Sequence, residues 1–319
     1  MPRKERDKQA LNNHETWRFE YRKNRYMEYI TEDELKIRFD DIFKNMTLLT
    51  DDGKIGLHPI STEGIYWMKL FTHLLEEINL RGIGMPHGVD ISPETIPKPT
   101  FPERPRAFNA LGNNEYTDGN HLFKYGKKNH LKKMYESGMI RIAPATFYND
   151  SSLNAAIKDD ERIMSIFHHP EKVTITHVDK KTGENIKIMP VSNVESTFNV
   201  STNYYVYCMA DSYSLRLFDD FESNACIIIH DMYGFLRKLE KAFMQAVGNW
   251  GFGAEQVKYI DPLIPPDEKD IDVFFCKHFR YSYQKEIRAV WLPSRAVEKL
   301  DPIYVNIGSM EEYADYIEF

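Results

Sequence analysis

The residues best suited to chemistry lie near the C-terminal end, in residues 280–291. This run begins with aromatic residues and continues with β-branched and apolar ones, which predicts a strand. Side chains alternate between the two faces of a strand, so Gln284 and Glu286 are expected on one face. The pattern therefore sets an amide beside a carboxylate, two groups that could act on one substrate. The alternative is structural, with Glu286 facing solvent and paired with Arg288 or Lys285.

A second set of candidate elements lies upstream. Residues 121–126 have a short strand pattern. Residues 129–138 have a helical one, with apolar side chains at i, i+3 and i+4 and with Gly138 as its C-terminal stop. A second strand is predicted from residue 139, and it leads into a polar turn over residues 147–150.

Four blocks in this order resemble a widespread bacterial and phage family of uncharacterised domains. The pattern of that family runs from Leu-Tyr-Lys-Tyr through a helix to Phe-Asn-Asp. It continues with a strand and turn that contain Ser and Asp, and it ends in Tyr-x-Lys-Glu-x-Arg. The matching blocks here are residues 122–125, 147–150, 207–221 and 283–288. The layout of the family is similar to the ADP-ribosyltransferase fold, and the resemblance covers about residues 119–295.

The resemblance implies a mono-ADP-ribosyltransferase-like enzyme that uses NAD and has a split β-sandwich catalytic domain. Glu286 would stabilise the positive charge on the nicotinamide ribose as the glycosidic bond breaks, and Gln284 would orient the acceptor. In this resemblance, the residue two positions before Glu286 is Gln rather than Glu. This favours an amide, thiol, carboxylate or base acceptor over an arginine guanidinium. Lys124 and Tyr125 would contact the diphosphate or ribose of NAD. The other cofactor-binding candidates are Tyr148, Asn149, Asp211 and Ser212.

This interpretation predicts that Lys124, Ser212 and Glu286 converge on one cleft and that Glu286 contributes little to the core. The cofactor-binding candidates also have ordinary explanations. Lys124 and Tyr125 could end a strand, with the tyrosine in the core. Tyr148 and Asn149 could belong to a plain turn, and Asp211 and Ser212 could cap the segment that follows them.

The composition fits a soluble, cytoplasmic protein. The chain has 319 residues, 42% of them hydrophobic, which is enough for one large domain or two ordinary ones, and its net charge is −7. Three widely spaced cysteines indicate reduced thiols. The sequence contains neither a CxxC pair nor an HExxH motif, so we expect no metal ion. Apolar runs are too short to span a bilayer, and the first residues lack the apolar segment of a secretory signal, so we expect no membrane contact.

Charge is distributed unevenly along the chain. Residues 1–26 hold eight Lys or Arg against four acids, interleaved with Tyr21, Tyr26 and two further aromatic side chains. Such a segment could follow a phosphate backbone while its rings stack on bases. Alternatively, it could form a charged helix that packs on the body of the protein. The acidic residues 311–318 are most simply a solvated terminal helix.

Two other functional classes are alternatives to the enzyme. The basic N-terminal segment could belong to a nucleic-acid-binding or nuclease-type protein. The transferase fold could also persist in a catalytically inactive interaction protein. A role as a toxin or phage-defence effector fits the distribution of the family that the chain resembles.

The chain divides into three parts, which together predict an α+β fold. Residues 1–85 are predicted to be helical, with Thr31 as an N-cap. Residues 86–118 hold six prolines and are predicted to form a linker or extended arm. Residues 119–319 are predicted to form the catalytic domain, with a β-hairpin insertion near residues 154–200.

Overall fold

The computed structural model describes residues 3–50, 54–58, 62–85 and 120–318. The predicted linker, residues 86–118, falls wholly outside this described part. Helices and mainly antiparallel sheets occur together, so the fold is α+β, as the sequence predicts.

The N-terminal part is mostly helical. It consists of helices α1 (Arg3–Lys23), α2 (Glu32–Met46) and α3 (Thr62–Arg81), with a short hairpin of β1 (Thr47–Leu49) and β2 (Ile55–Leu57) between α2 and α3. The predicted N-cap is confirmed. The Thr31 side chain accepts a hydrogen bond from the backbone N–H of Glu34, and the Glu34 carboxylate accepts one from the N–H of Thr31.

Two adjacent glutamates hold these helices together. The side chains of Glu76 and Glu77, on α3, have no exposed surface. Glu76 pairs with Arg22 of α1 at 2.6 Å, and Glu77 pairs with Arg25 at 2.8 Å and with Arg81 at 2.6 Å. A buried carboxylate is stable only with such partners. These ion pairs therefore fix the chain after α1 against α3.

The burial of two tyrosines in this packing is relevant to the predicted nucleic-acid contact of residues 1–26. The side chains of Tyr21 and Tyr26 are 1% and 6% exposed, and Tyr21 donates a hydrogen bond to Glu77. Buried rings cannot stack on bases, so base stacking by these two tyrosines is a wrong prediction. They serve instead to pack the segment on the body of the protein.

The second part begins with the predicted order of strand, helix and strand. These elements are β3 (Leu122–Gly126), α4 (Lys128–Ser137) and β4 (Met139–Pro144). Helix α4 ends at Gly138, whose φ of 70° lies in the left-handed region where glycine has no steric penalty. A Cβ at this position would also collide with the backbone of Gly308.

An insertion follows β4. Strand β5 (Ile163–His168) pairs antiparallel with β8 (Val194–Asn199), and β6 (Ile175–Val178) pairs antiparallel with β7 (Asn185–Ile188). The inner pair forms a hairpin within the region where the sequence predicts one.

An eight-stranded sheet organises the rest of the chain. The remaining elements are β9 (Tyr205–Ala210), α5 (Arg216–Asp220), β10 (Ala225–Ile229), α6 (Met232–Val247), β11 (Gly251–Gln256), β12 (Lys258–Ile260), β13 (Cys276–His278), β14 (Glu286–Leu292), β15 (Ile303–Asn306) and β16 (Ala314–Glu318). The order across the sheet is β11–β14–β9–β3–β10–β16, and β4 pairs with both β9 and β15.

The two faces of this sheet bury different clusters. Along β10, Ile227 packs in a cluster with α4 and α6, whereas Ile228 packs in a cluster with Phe218 of α5. All five residues of β10 are buried, which is typical of a strand covered on both faces.

The predicted strand over residues 280–291 is only partly correct. Phe279–Gln284 is a 3-10 helix, Lys285 is left-handed with φ of 45°, and β14 begins at Glu286. Asn45 of α2 explains the difference. Its side-chain oxygen accepts a hydrogen bond from the N–H of Tyr283 at 2.8 Å, and its amide nitrogen donates to the carbonyl oxygens of Phe279 and Arg280. These bonds occupy backbone groups that a strand would present to its neighbour.

The predicted terminal helix over residues 311–318 is wrong. Residues Ala314–Glu318 form β16, which pairs antiparallel with β10 and places Ala314 opposite Ile229. The buried strand β10 would otherwise be left with an unpaired edge, and unpaired backbone groups in a buried strand are costly. Pairing with β10 therefore overrides the local helical preference of this acidic segment.

We expect Glu77→Gln to destabilise the protein by about 3 kcal/mol, because it leaves Arg25 and Arg81 without their shared counter-charge. Urea unfolding measures the change. The matched control is Glu136→Gln, which removes an exposed pair with Lys132 on α4 and should change the free energy of unfolding by less than about 0.5 kcal/mol. Equal effects of the two variants would show that the buried ion pairs of Glu77 stabilise the protein no more than an exposed pair does.

Candidate functional site

Five of the eight predicted site residues line one cavity. This first cavity has a volume of about 280 Å³ and lies at the end of β3, beside β9 and the start of β14. The five residues are Lys124, Tyr125, Tyr148, Gln284 and Glu286. The sequence-predicted residues thus come from three separate regions of the chain.

Lys285 explains how Gln284 and Glu286 reach the same cavity without lying on one strand. Its left-handed backbone joins the end of the 3-10 helix to the start of β14, so its two neighbours line the first cavity while its own side chain lines another. The conformation is held by two hydrogen bonds: the Lys285 N–H donates to Ser282, and the Lys285 carbonyl accepts from the N–H of Asp211. Gln284 and Glu286 therefore lie side by side as predicted, but the cause is the left-handed backbone at Lys285 and not the alternation of side chains along a strand.

The Glu286 carboxylate is buried and paired with two cations. Its Oε2 lies 3.2 Å from Lys277 Nζ, and its Oε1 lies 2.8 Å from Arg288 Nε. Burial alone would raise the pKa of Glu286, but Arg288 and Lys277 lower it to about 2. Glu286 is therefore ionised at neutral pH. The prediction that it contributes little to the core is wrong, since its side chain is one partner in a buried ionic network.

Arg288 extends this network to Glu161, which also lines the first cavity. The Arg288 side chain has no exposed surface, and its Nη2 lies 2.6 Å from Glu161 Oε2. Burial raises the pKa of Glu161 to about 7, against the opposing effect of Arg288. Asp159 Oδ2 lies 4.0 Å from Lys277 Nζ. We call Asp159, Glu161, Lys277, Glu286 and Arg288 the charged cluster. The pairing of Glu286 with Arg288 agrees with the structural alternative drawn from the sequence, but the solvent exposure expected there is wrong, because Glu286 is buried.

The Gln284 side chain uses both ends of its amide within the protein. Its nitrogen donates to the carbonyl oxygen of Ala156 at 2.8 Å, and its oxygen accepts from Lys277 Nζ at 3.3 Å. Gln284 thus holds Lys277 beside Glu286. This makes it a positioning residue for the charged cluster.

The lining of the first cavity also includes a lysine and aromatic rings. Lys124 Nζ donates to the carbonyl oxygen of Cys208 at 2.6 Å and lies 4.3 Å from the centre of the Tyr207 ring. Burial lowers the pKa of Lys124. Tyr125 is 7% exposed and packs edge-to-face on Phe218, so most of its ring belongs to the core.

Three predicted site residues do not join this group. Asn149 is exposed and donates a hydrogen bond to Asp160, and Asp211 accepts one from Gln256. Ser212 lines a different cavity, so the predicted convergence of Lys124, Ser212 and Glu286 is wrong for the serine. Strand β9 ends at Ala210, and the chain beyond it turns to the other side of Lys285.

Sequence reasoning missed the other members of the charged cluster. Lys277 directly follows the four apolar residues 273–276, and a charge at the end of such a run is a signal for a paired buried group. Glu161 lies in an irregular segment before β5, where no periodicity marks burial. Its partner Arg288 follows far along the sequence, so the pair becomes visible only in the fold.

Comparisons of the chain with protein-family models, with curated proteins and with solved structures found no match. Within the described residues, no group of three or more His, Cys, Asp or Glu side chains is arranged to hold a metal ion. Across the same ranges, no helix is both long and apolar enough to cross a bilayer.

Glu161 and Glu286 are expected to give opposite pH dependences of stability. Between the ordinary pKa of 4.5 and about 7, the folded protein keeps a proton on Glu161 that the unfolded chain has lost, so stability falls as the pH rises. Between 4.5 and about 2, the unfolded chain binds a proton that folded Glu286 does not, so stability falls as the pH decreases.

Urea unfolding across the pH range measures both effects. Glu161→Gln should flatten the decline above pH 4.5, and Glu286→Gln should flatten the decline below it. If each variant retained the pH dependence of the wild type, neither carboxylate would carry the pKa assigned to it.

Proposed function

We propose that the protein is a cytoplasmic, NAD-dependent mono-ADP-ribosyltransferase-like enzyme and that the first cavity takes the nicotinamide ribose end of NAD. The catalytic domain would be residues 119–319, with a split β-sandwich arrangement of the transferase type. The convergence of Lys124, Tyr148, Gln284 and Glu286 on one cavity supports this proposal. A bacterial or phage toxin or defence role fits such an activity.

The chemistry of the cavity suits a dinucleotide. Lys124 and Lys127 line it, and ammonium groups are common partners of phosphates. Tyr148 and Phe221 supply aromatic surface for a planar ring. Glu286 adds a carboxylate that is ionised at neutral pH. The phosphates of NAD, its planar nicotinamide ring and the ribose that becomes positively charged would each meet a side chain of matching chemistry.

The proposed reaction breaks the bond between the ribose C1′ and the nicotinamide nitrogen. The bonding electron pair leaves with nicotinamide, which becomes neutral, and positive charge develops on the ribose. Lys277 and Arg288 hold the Glu286 carboxylate in a fixed position, so its charge requires no reorganisation when that cation forms. An acceptor nucleophile, from a protein or a nucleic acid, then bonds to C1′ and releases its proton to the solvent.

The alternative is an interaction protein that keeps the cavity but lacks turnover. One observation favours it: both oxygens of Glu286 already pair with cations, which weakens the carboxylate as a partner for a further positive charge. Such a protein would bind NAD without releasing nicotinamide. The enzyme would do both, so the two functions separate in a single pair of assays.

We expect Glu286→Gln to lower the rate of nicotinamide release by about 10²–10³-fold, because one preorganised charge is lost. The substitution also destabilises the fold, since Lys277 and Arg288 lose a shared partner. Chromatographic detection of nicotinamide, at a temperature where the variant is folded by circular dichroism, measures the rate.

The matched control is Asp261→Asn. It breaks a buried ion pair with Arg38, at 2.6 Å, that does not line the first cavity. This variant should lose a comparable amount of stability and retain nicotinamide release. Equal loss of activity in the two variants would assign the effect to folding, and absence of turnover in the wild type with protein and nucleic-acid acceptors would refute the enzyme.

We expect Lys124→Met to weaken NAD binding about tenfold, because a cation that faces the phosphates is replaced by an apolar chain of similar length. Isothermal titration calorimetry measures the dissociation constant. Lys128→Met, at an exposed position outside the cavity lining, is the control and should bind NAD like the wild type. Similar weakening by both variants would indicate a general effect of net charge.

A further inference from the structure

A second cavity of about 390 Å³ lies on the other side of Lys285. It is enclosed by the β1–β2 hairpin, the segment after β9 and the end of the 3-10 helix before β14. None of its described lining residues also lines the first cavity. A ligand could therefore occupy it independently of NAD.

The lining of the second cavity is rich in hydrogen-bond donors and cations. Three of its side chains are basic and four are aliphatic hydroxyls; they are His58, Arg216, Lys285, Thr47, Thr50, Ser212 and Ser214. Among the described residues that line it, none is a carboxylate. Such a lining is complementary to an anion with several acceptor oxygens.

Arg216 is the innermost of these groups, and its side chain is only 3% exposed. Its Nε pairs with Asp220 at 2.9 Å, its Nη1 donates to the carbonyl oxygen of Lys44 at 2.6 Å, and its guanidinium lies 4.3 Å from the centre of the Tyr283 ring. The remaining nitrogen, Nη2, has no hydrogen-bond partner within the described part of the chain. A buried guanidinium nitrogen left in this way requires an explanation.

The three basic groups lie close enough together for Lys285 and Arg216 to change the pKa of His58. Burial lowers the pKa of His58, and Lys285 and Arg216 lower it further against the opposing effect of Glu63. Lys285 pairs with Glu63 at 3.3 Å, and both side chains remain 38% exposed. Lys285 can therefore turn from this partner toward a ligand at the mouth of the cavity.

We propose that the second cavity binds a phosphate group, carried by a small phosphorylated molecule. Two nitrogens of Arg216 are fixed by protein partners, and Nη2 is buried without a partner among the described residues, so the guanidinium contributes positive charge at the lining of the cavity. Lys285 adds positive charge, and the imidazole of His58 and the hydroxyls of Ser212 and Ser214 add neutral donors. A phosphate combines the charge and the number of acceptors that this set of donors satisfies.

The test uses inorganic phosphate as the probe and the full-length protein. Isothermal titration calorimetry, with sodium chloride added to keep the ionic strength constant, should show saturable binding. Lys285→Ala and His58→Ala should each weaken that binding about fivefold, while both variants keep the wild-type circular dichroism spectrum. Lys269→Ala is the matched control, because its side chain is 76% exposed and lies outside the lining.

Replacement of the buried Arg216 can unfold the protein. The test therefore uses the variants at Lys285 and His58. Wild-type protein that shows no saturable binding would overturn the proposal, as would a Lys269→Ala variant weakened as much as Lys285→Ala. Lys124→Met reports on the first cavity. If it abolished phosphate binding while Lys285→Ala did not, the phosphate would sit in the first cavity and the second site would be refuted.

Discussion

Arg288 carries a full positive charge at a position with no access to water, and much of the site follows from that constraint. A buried charge costs several kcal/mol unless it is paired. Glu161 and Glu286 provide the pairing, and Glu286 in turn is shared with Lys277. The start of the insertion, β13 and β14 are thereby tied together. Part of the wall of the first cavity therefore consists of Glu161 and Glu286, the two carboxylates that neutralise Arg288.

The N-terminal helices take part in building this site. Asn45 of α2 holds the backbone of the 3-10 helix, and Arg38 of the same helix pairs with Asp261 in the interior. The 3-10 helix leads into Lys285, whose left-handed backbone separates the side chains of the first cavity from those of the second. A helix far away in sequence thus determines which side chains enter each cavity. The helical part and the sheet are therefore one structural unit at this place.

Local features were readable from the sequence, and long-range ones were not. The Thr31 cap, the Gly138 helix end and the β6–β7 hairpin depend on residues close together in the chain, and all three are present. The strand expected at Gln284 fails because Asn45, which lies 238 residues from Tyr283, competes for the backbone. The strand at Ala314–Glu318 likewise depends on a distant partner, β10. The sequence nevertheless predicts that Lys124 and Glu286 share one cleft, and both line the first cavity.

The charged cluster also has a consequence for the folding pathway. Its members come from separate segments, and a partly assembled cluster would leave a dehydrated charge without its partner. We therefore expect these side chains to stay hydrated in the folding transition state and to pair only afterwards. Interactions formed after the barrier slow unfolding while leaving the folding rate nearly unchanged. The ionic network would then slow the unfolding of the native state. Stopped-flow measurements can test this, because unfolding of Glu161→Gln that is no faster than that of the wild type would argue against such a role.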